Sequence, residues 1–325
     1  MNDRVASRRT GTQHDRARQP DDPRIHVTLE QLRALERRAQ ALTFLPRQPA
    51  RSVLNGRHAS RIRGRGLNFE ELRDYLPGDD VRAIDWKVTA RTGQPHVRVM
   101  TEERDRPALM VVDQRMSMYF GSVHAMKAVT AAEAAALAAF RILDQGDRIG
   151  GIVFGDDHVG EIRPKRSHAA LHQLLAALVR ANQTLQADAP NRPGLPLVKV
   201  LQSVQRIASK DHLILLFSDF DGIDASSDAL IAGLARHNDL VLVTVTDPIS
   251  NDIPQNMRAV VSDGSLQAEI DTSDGAVHHA LSAMAQGRLA RVVDWQRRFG
   301  VPVVPLSSAE DALPQLRRLM GLQPR

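Results

Sequence analysis

Five short apolar runs follow one another after Pro107: ALMVVD at 108–113, RIGGIVF at 148–154, HLILLFSD at 212–219, DLVLVTVTD at 239–247 and VPVVPLS at 301–307. A strand with one wet face alternates apolar with polar residues. These runs are continuous instead, the pattern of strands buried on both faces in a parallel sheet. Between and around them lie segments with helical spacing near 125–144, 168–180, 196–208, 226–237, 276–299 and 309–319. Strand alternating with helix predicts an α/β fold, a doubly wound and mostly parallel sheet with helices on both faces and right-handed crossovers. A turn at Gly155, Asp156 and Asp157 leads into a candidate edge strand over 157–163. Three of the long runs end in aspartate, at Asp113, Asp219 and Asp247, on the edge where open α/β sheets bind ligands. Strand-end capping gives the same residues without a site.

The chain has 325 residues, 42% of them hydrophobic, enough for one large domain or two modest ones. It contains no cysteine, which removes disulfides, thiolate metal sites and thiol nucleophiles. No apolar stretch approaches the roughly 20 residues of a membrane span, and the N-terminus lacks the apolar core of a secretory signal, so the expected location is cytoplasmic. Charge is uneven. Residues 1–66 hold 15 Arg, no Lys and 6 acidic residues, a net +9, while the remainder has 28 basic against 32 acidic, a net −4.

Residues 1–25 are polar and aperiodic and are expected to form a disordered basic tail. Thr28 and Gln31 have capping-box spacing, opening a helix with Leu29, Leu32, Leu35 and Leu42 that should end near Pro46. RSVLNGRHASRIRGRG at 51–66 looks like an exposed connector. The expected plan is a tail over 1–25, a leading helix, connector and accessory segment over 26–104, and the α/β domain over 105–325.

The densest stretch is 64–104. Pro77 and Gly78 suit the middle of a type II turn, and Asp79 and Asp80 can accept from the free amides of a short helical turn behind it. Arg73, Asp79, Asp80, Arg82, Asp85, Lys87 and Arg91 alternate in sign beside Phe69, Tyr75, Ile84 and Trp86. Two roles fit: an ion-pair network locking the segment onto the α/β domain, or a charged docking face. Trp86 and Trp295 read as packing residues.

The string Gly66, Phe69, Glu70, Leu72, Arg73, Tyr75, Pro77, Gly78, Asp79, Asp80, Arg82, Ile84, Asp85, Trp86, Ala90 and Arg91, followed by a strand ending in DQRMSMYFGS, resembles the domain of unknown function 58 family over about residues 60–250. Many relatives carry two transmembrane helices at the start, where this chain has the Arg-rich head. The family's second half is similar to a von Willebrand factor A domain, a doubly wound fold. That likeness implies a metal-ion-dependent adhesion site, in which an Asp-x-Ser-x-Ser loop, a Thr from a second loop and an Asp from a third surround Mg²⁺ with oxygens. Asp113 and Ser117 match the first Asp and second Ser. Asp219 matches the third-loop Asp, with Asp221 nearby. Arg115 stands at the first Ser, and Leu195 and Pro196 stand where the Thr would be. A guanidinium cannot ligate a cation. The expectation is a degenerate site with no cofactor, where Arg115 supplies the positive charge by pairing Asp113 or Asp219; if a metal binds, its ligands are Asp113, Ser117 and Asp219. Capping of the following helix start by Asp113 and Ser117 is the plainer reading.

No catalytic residues are assigned. His168 and His172 share a helix face without a third ligand, GRGLNFE and DGIDASS are not phosphate loops, and Ser117 has no GxSxG elbow. Relatives are commonly encoded beside MoxR-type AAA+ ATPases and other von Willebrand factor A proteins. The resemblance thus implies a non-enzymatic protein-interaction module, an adaptor or co-chaperone with such an ATPase as partner. Two rivals are a Mg²⁺-dependent phosphoryl-transfer enzyme at Asp113 and Asp219, and a nucleic-acid binder acting through Arg57, Arg61, Arg63 and Arg65.

Overall fold

The computed structural model describes residues 22–42, 67–77, 79–102, 107–186, 194–251, 253–262 and 267–319. Helix α1 (Leu29–Ala39) starts with the capping box read from Thr28 and Gln31: the Thr28 hydroxyl accepts the Gln31 amide at 3.1 Å, and the Gln31 side chain accepts the Thr28 amide at 3.4 Å. It ends seven residues before Pro46, after which Leu42 turns inward and is fully buried. Residues 22–25, expected to continue the tail, form a turn. The Ile25 and His26 amides donate to Asp22, and the Arg24 carbonyl accepts from Met126. The rest of the tail and the 51–66 connector lie outside the described residues.

An antiparallel pair, β1 (Leu67–Asp74) and β2 (His96–Glu102), brackets the short α2 (Trp86–Thr92) and a 3-10 turn at Val81–Ala83. This hairpin was not read from the sequence.

The remaining elements are β3 (Pro107–Asp113), α3 (Lys127–Asp144), β4 (Arg148–Phe154), β5 (Val159–Lys165), α4 (His168–Gln183), α5 (Leu197–Ile207), β6 (Leu213–Ser218), α6 (Ala225–His237), β7 (Asp239–Thr246), α7 (Pro248–Asn251), β8 (Arg258–Ser262), β9 (Gln267–Asp271), α8 (Gly275–Phe299), β10 (Val303–Ser307) and α9 (Ala312–Leu319). One sheet runs in the order β10-β7-β6-β3-β4-β5, parallel except for β5, which pairs antiparallel with β4. Every expected strand of this sheet is present, and β8 with β9 adds a second, unforeseen hairpin.

Burial explains the apolar runs. Ala108, Met110 and Val112 point into a core shared with α1, α3, α4 and α9, whereas Leu109 and Val111 point into a second core shared with α5, α6 and α8. Leu215 and Phe217 against Ile214 and Leu216 repeat the division in β6. The strands are therefore covered on both faces, as continuous hydrophobicity requires. The leading helix belongs to this domain: Leu32, Leu35 and Ala39 lie in the first core beside the alanines of α3. That helix is nearly all buried, with alanine at 128, 131, 132, 134, 135, 136, 138 and 139, and small side chains let sheet and helices close on it from both sides. At the edge, a Cβ on Gly150 would stand 2.5 Å from the Ile162 carbonyl oxygen, so only glycine admits β5 there. Among the described residues no helix is long and apolar enough to cross a membrane.

Candidate functional site

Numbering only the strands of the large sheet in chain order gives 3-2-1-4-5-6. The connections leave its first and fourth strands, β3 and β6, in opposite directions, opening a crevice at their carboxyl ends. Asp113 closes β3, and Asp219 and Asp247 follow β6 and β7 by one residue, so all three expected aspartates reach the same edge.

Asp113 is fully buried and its two oxygens are engaged. Arg115 folds back on it, donating from Nε to Oδ1 at 3.0 Å and from a terminal nitrogen to Oδ2 at 2.7 Å. The Arg115 amide reaches Oδ1 at 3.0 Å, and the Ser218 hydroxyl donates to Oδ2 at 2.6 Å. The guanidinium also donates to the carbonyls of Asp221 and Leu195, and lies 5.5 Å over the Phe154 ring. Burial works to lower the proton affinity of Arg115, but the charge and hydrogen bonds of Asp113, together with the charges of Asp219 and Asp221, outweigh it and the net shift is upward. The guanidinium thus pairs with Asp113, one of the two partners expected for it.

Asp219 is almost as deeply placed. Lys127, the first residue of α3, donates to its Oδ2 at 2.6 Å, and Arg288 of α8 approaches the same oxygen at 3.6 Å. Oδ1 accepts the Ser117 hydroxyl at 3.3 Å and the Asp221 amide at 3.0 Å. Burial alone would raise this carboxyl; Lys127, with help from Arg288, holds it below the usual carboxylate range. Between the two acids Phe220 takes a left-handed φ of 58°, uncommon for a bulky residue. Its amide donates to Ser218 Oγ at 2.8 Å and its ring is fully buried against Trp295, so surrounding contacts hold the conformation that turns Asp219 and Asp221 to the edge.

Asp247 makes a separate clamp. It accepts from the Ser122 amide at 2.8 Å, the Ser122 hydroxyl at 2.6 Å, the Ser308 hydroxyl at 2.6 Å and the Ile249 amide at 3.1 Å. Burial opposes its ionisation, but these donors lower its pKa on balance. The clamp fixes the loop after β3, leaving Phe120 and Val123 exposed beside it. Asp156 accepts the Met116 amide at 2.8 Å, and burial raises its carboxyl.

The residues at the crevice do not fit Mg²⁺. The ion requires several hard oxygens with free lone pairs in a near-octahedral shell. Here both oxygens of Asp113 and Oδ2 of Asp219 already receive cationic donors, Oδ1 of Asp219 accepts the Ser117 hydroxyl and the Asp221 amide, and the Leu195 carbonyl faces Arg115. Ser117 is therefore joined to Asp219 rather than capping the helix, and Lys127, Ser218 and Arg288 complete a cluster that sequence reading did not find. His168 and His172 are both exposed.

The accessory segment is held by its own side chains. Arg73 forms a bidentate pair with Asp79, 2.7 Å at each contact, and Asp79 also accepts the Leu76 amide at 2.9 Å. The Asp79 amide closes a turn on the Leu76 carbonyl across Pro77; Gly78, and with it the turn type, lies outside the described residues. Asp80 caps the 3-10 turn through the Arg82 amide, and Asp85 caps α2 through the amides of Lys87 and Val88. Gly93, at φ 74°, ends that helix. These bonds close locally, within the segment; they are not the expected network locking it onto the α/β domain. Tyr75 is half-buried, while Arg82, Lys87 and Arg91 are exposed. Trp86, expected to pack inside, is 68% exposed, and Leu72, Leu76 and Val81 are exposed with it. Trp295 does pack, fully buried with its indole N–H 2.7 Å from Asp228.

Uncharacterized proteins of Mycobacterium bovis and of two Mycobacterium tuberculosis strains are each 28% identical to the chain over 306 residues, covering 94% of it and 92% of the relative. Residues 71–291 match the model of the family described as protein of unknown function DUF58, spanning the accessory segment, the carboxylate edge and most of α8. On that match the chain belongs to the DUF58 family.

Proposed function

We propose that this protein is a protein-binding adaptor or co-chaperone, with a von Willebrand factor A-like domain as its body and a MoxR-type AAA+ ATPase as its partner, acting in complex assembly or remodelling in the cytoplasm. The observation that carries the reading is the outer face of the accessory segment. Trp86 and Ala90 share one row of α2 and Lys87 and Arg91 the next, by i,i+4 spacing, and all four are exposed. Leu76 and Val81, 59% and 58% exposed, precede them. Large apolar side chains held in water on a capped, ion-paired scaffold are what a docking site needs, with tryptophan the residue type that most often anchors one. Asp79 is taken up in a pair and Asp80 and Asp85 in caps, and the charge that α2 itself offers beside the tryptophan, from Lys87 and Arg91, is cationic, suited to an acidic partner surface.

The test is co-purification of the full chain with a MoxR-type AAA+ ATPase, with and without ATP. Association reduced by Trp86→Ala supports the reading, and no association in either nucleotide state overturns it. The phosphoryl-transfer rival needs Asp113 and Asp219 available to Mg²⁺, whereas both are engaged by basic side chains. The nucleic-acid rival rests on Arg57, Arg61, Arg63 and Arg65, outside the described residues; affinity for DNA falling steeply with salt would be its signature.

A further inference from the structure

We infer that this chain carries its own cation at the carboxyl edge: Arg115 and Lys127 together bring the double positive charge of one divalent ion between β3 and β6, which fixes the crevice in one state whatever the metal concentration. The inference stands on three observations independent of the adaptor reading.

First, the two cations are divided one to each strand-end acid, Arg115 to Asp113 at 2.7 Å and Lys127 to Asp219 at 2.6 Å, and all four side chains are less than a tenth exposed. Second, Lys127 stands where local forces disfavour it. It is the first residue of α3, where the helix dipole is positive, and its ammonium is buried. Only a compensating anion makes such a position tolerable, so the lysine and Asp219 form a matched pair.

Third, the charges paired across the crevice balance. Arg115, Lys127 and Arg288 face Asp113, Asp219 and Asp221, three against three, with Arg288 also 3.1 Å from Asp221. Asp156, the next acid, already accepts the Met116 amide at 2.8 Å. An arriving divalent ion would find Asp113 and Asp219 each countered by a cation, and could gain their oxygens only by expelling buried cations from their partners. The same geometry implies that removing both cations uncovers a site. Arg115→Ser with Lys127→Met leaves two buried carboxylates, the Ser117 hydroxyl and the new hydroxyl at 115, four hard-oxygen groups for an ion that completes its shell with water.

The experiment titrates Mg²⁺ and Mn²⁺ into the full-length wild type and the double variant, by calorimetry and by thermal unfolding with and without EDTA. The wild type is expected to show no binding heat and an unchanged Tm. The double variant is expected to bind with 1:1 stoichiometry, at least about tenfold more tightly than any residual wild-type binding, and to gain Tm saturably with the metal. Stoichiometric binding by the wild type overturns the inference, as does a folded double variant indifferent to both ions. Should that variant unfold in metal-free buffer, refolding by Mg²⁺ but not by NaCl of equal ionic strength supports the inference, and failure of both to refold it overturns it. No partner enters the assay, so the result is separable from that of co-purification.

Discussion

The Lys127 ammonium lies 2.6 Å from the Asp219 carboxylate and joins the start of α3 to the end of β6. With the Arg115–Asp113 pair beside it, this contact covers both strand-end acids with a buried cation. The edge that in this fold class opens onto a ligand is here stitched shut by side chains from β3's loop, α3 and α8.

Removing one member of a buried pair strands the other. Arg115→Met is expected to cost about 3–5 kcal/mol, because Asp113 keeps its charge with only the Ser218 hydroxyl and one amide left. Adding Asp113→Asn should recover a large part of that loss. Urea denaturation of the two singles and the double gives the coupling directly; additive losses would contradict a specific pair.

Lys127→Met should reverse the acid response of the domain. In the wild type Asp219 is held below its ordinary value of 3.8, so its contribution is present above that pH and lost as pH falls through the lower folded value. Without the ammonium, burial acts with less opposition and raises the folded value. The variant should then lose stability as pH climbs from 3.8 toward neutrality. Denaturation midpoints across pH 3 to 7, in steps of about one unit, read the sign of the slope.

Asp247→Ala leaves the Ser122 and Ile249 amides and the Ser308 hydroxyl without their acceptor. A loss of about 1–3 kcal/mol is expected, most of it from the buried Ser308 hydroxyl. Hydrogen exchange should localise the damage, with the Ser122 amide losing protection before those of the central strands.

Trp86→Ala should separate folding from recognition. With its side chain in water, stability should move by less than about 0.5 kcal/mol, while affinity for the protein partner drops about tenfold or more. A large drop in melting temperature would show instead that the indole packs.

How far the sequence could be read depended on whether a feature is local. The capping box of Thr28 and Gln31 is a four-residue pattern and appears as read. The strands were legible because burial on both faces leaves no polar residue to interrupt the runs. Arg115 could be paired with a strand-end acid from the string, Asp113 or Asp219, and the two-residue spacing after β3 is what the fold uses to choose Asp113. Lys127 could not: as the opening residue of an alanine-rich helix it looks like a solvated charge, and the acid that explains it comes 92 residues later. Ser218, Ser308 and Arg288 were hidden for the same reason. The two hairpins escaped because their strands show neither continuous nor cleanly alternating hydrophobicity. Trp86 misled in the other direction, since size and apolarity suggest burial and only the fold reveals a side chain left facing out.

The turn ahead of α1 ties the N-terminal approach to the rim. Arg24 is bonded through its carbonyl to Met126, the Val27 amide hangs on the Asn182 side chain at 2.8 Å, and Asn182 donates in turn to Gln114, the neighbour of Asp113. Any load pulling on the basic head is therefore delivered by a short leash of hydrogen bonds to the residue next to the crevice. Cutting the chain before residue 22 leaves that leash intact, whereas a cut after residue 28 takes away its handle.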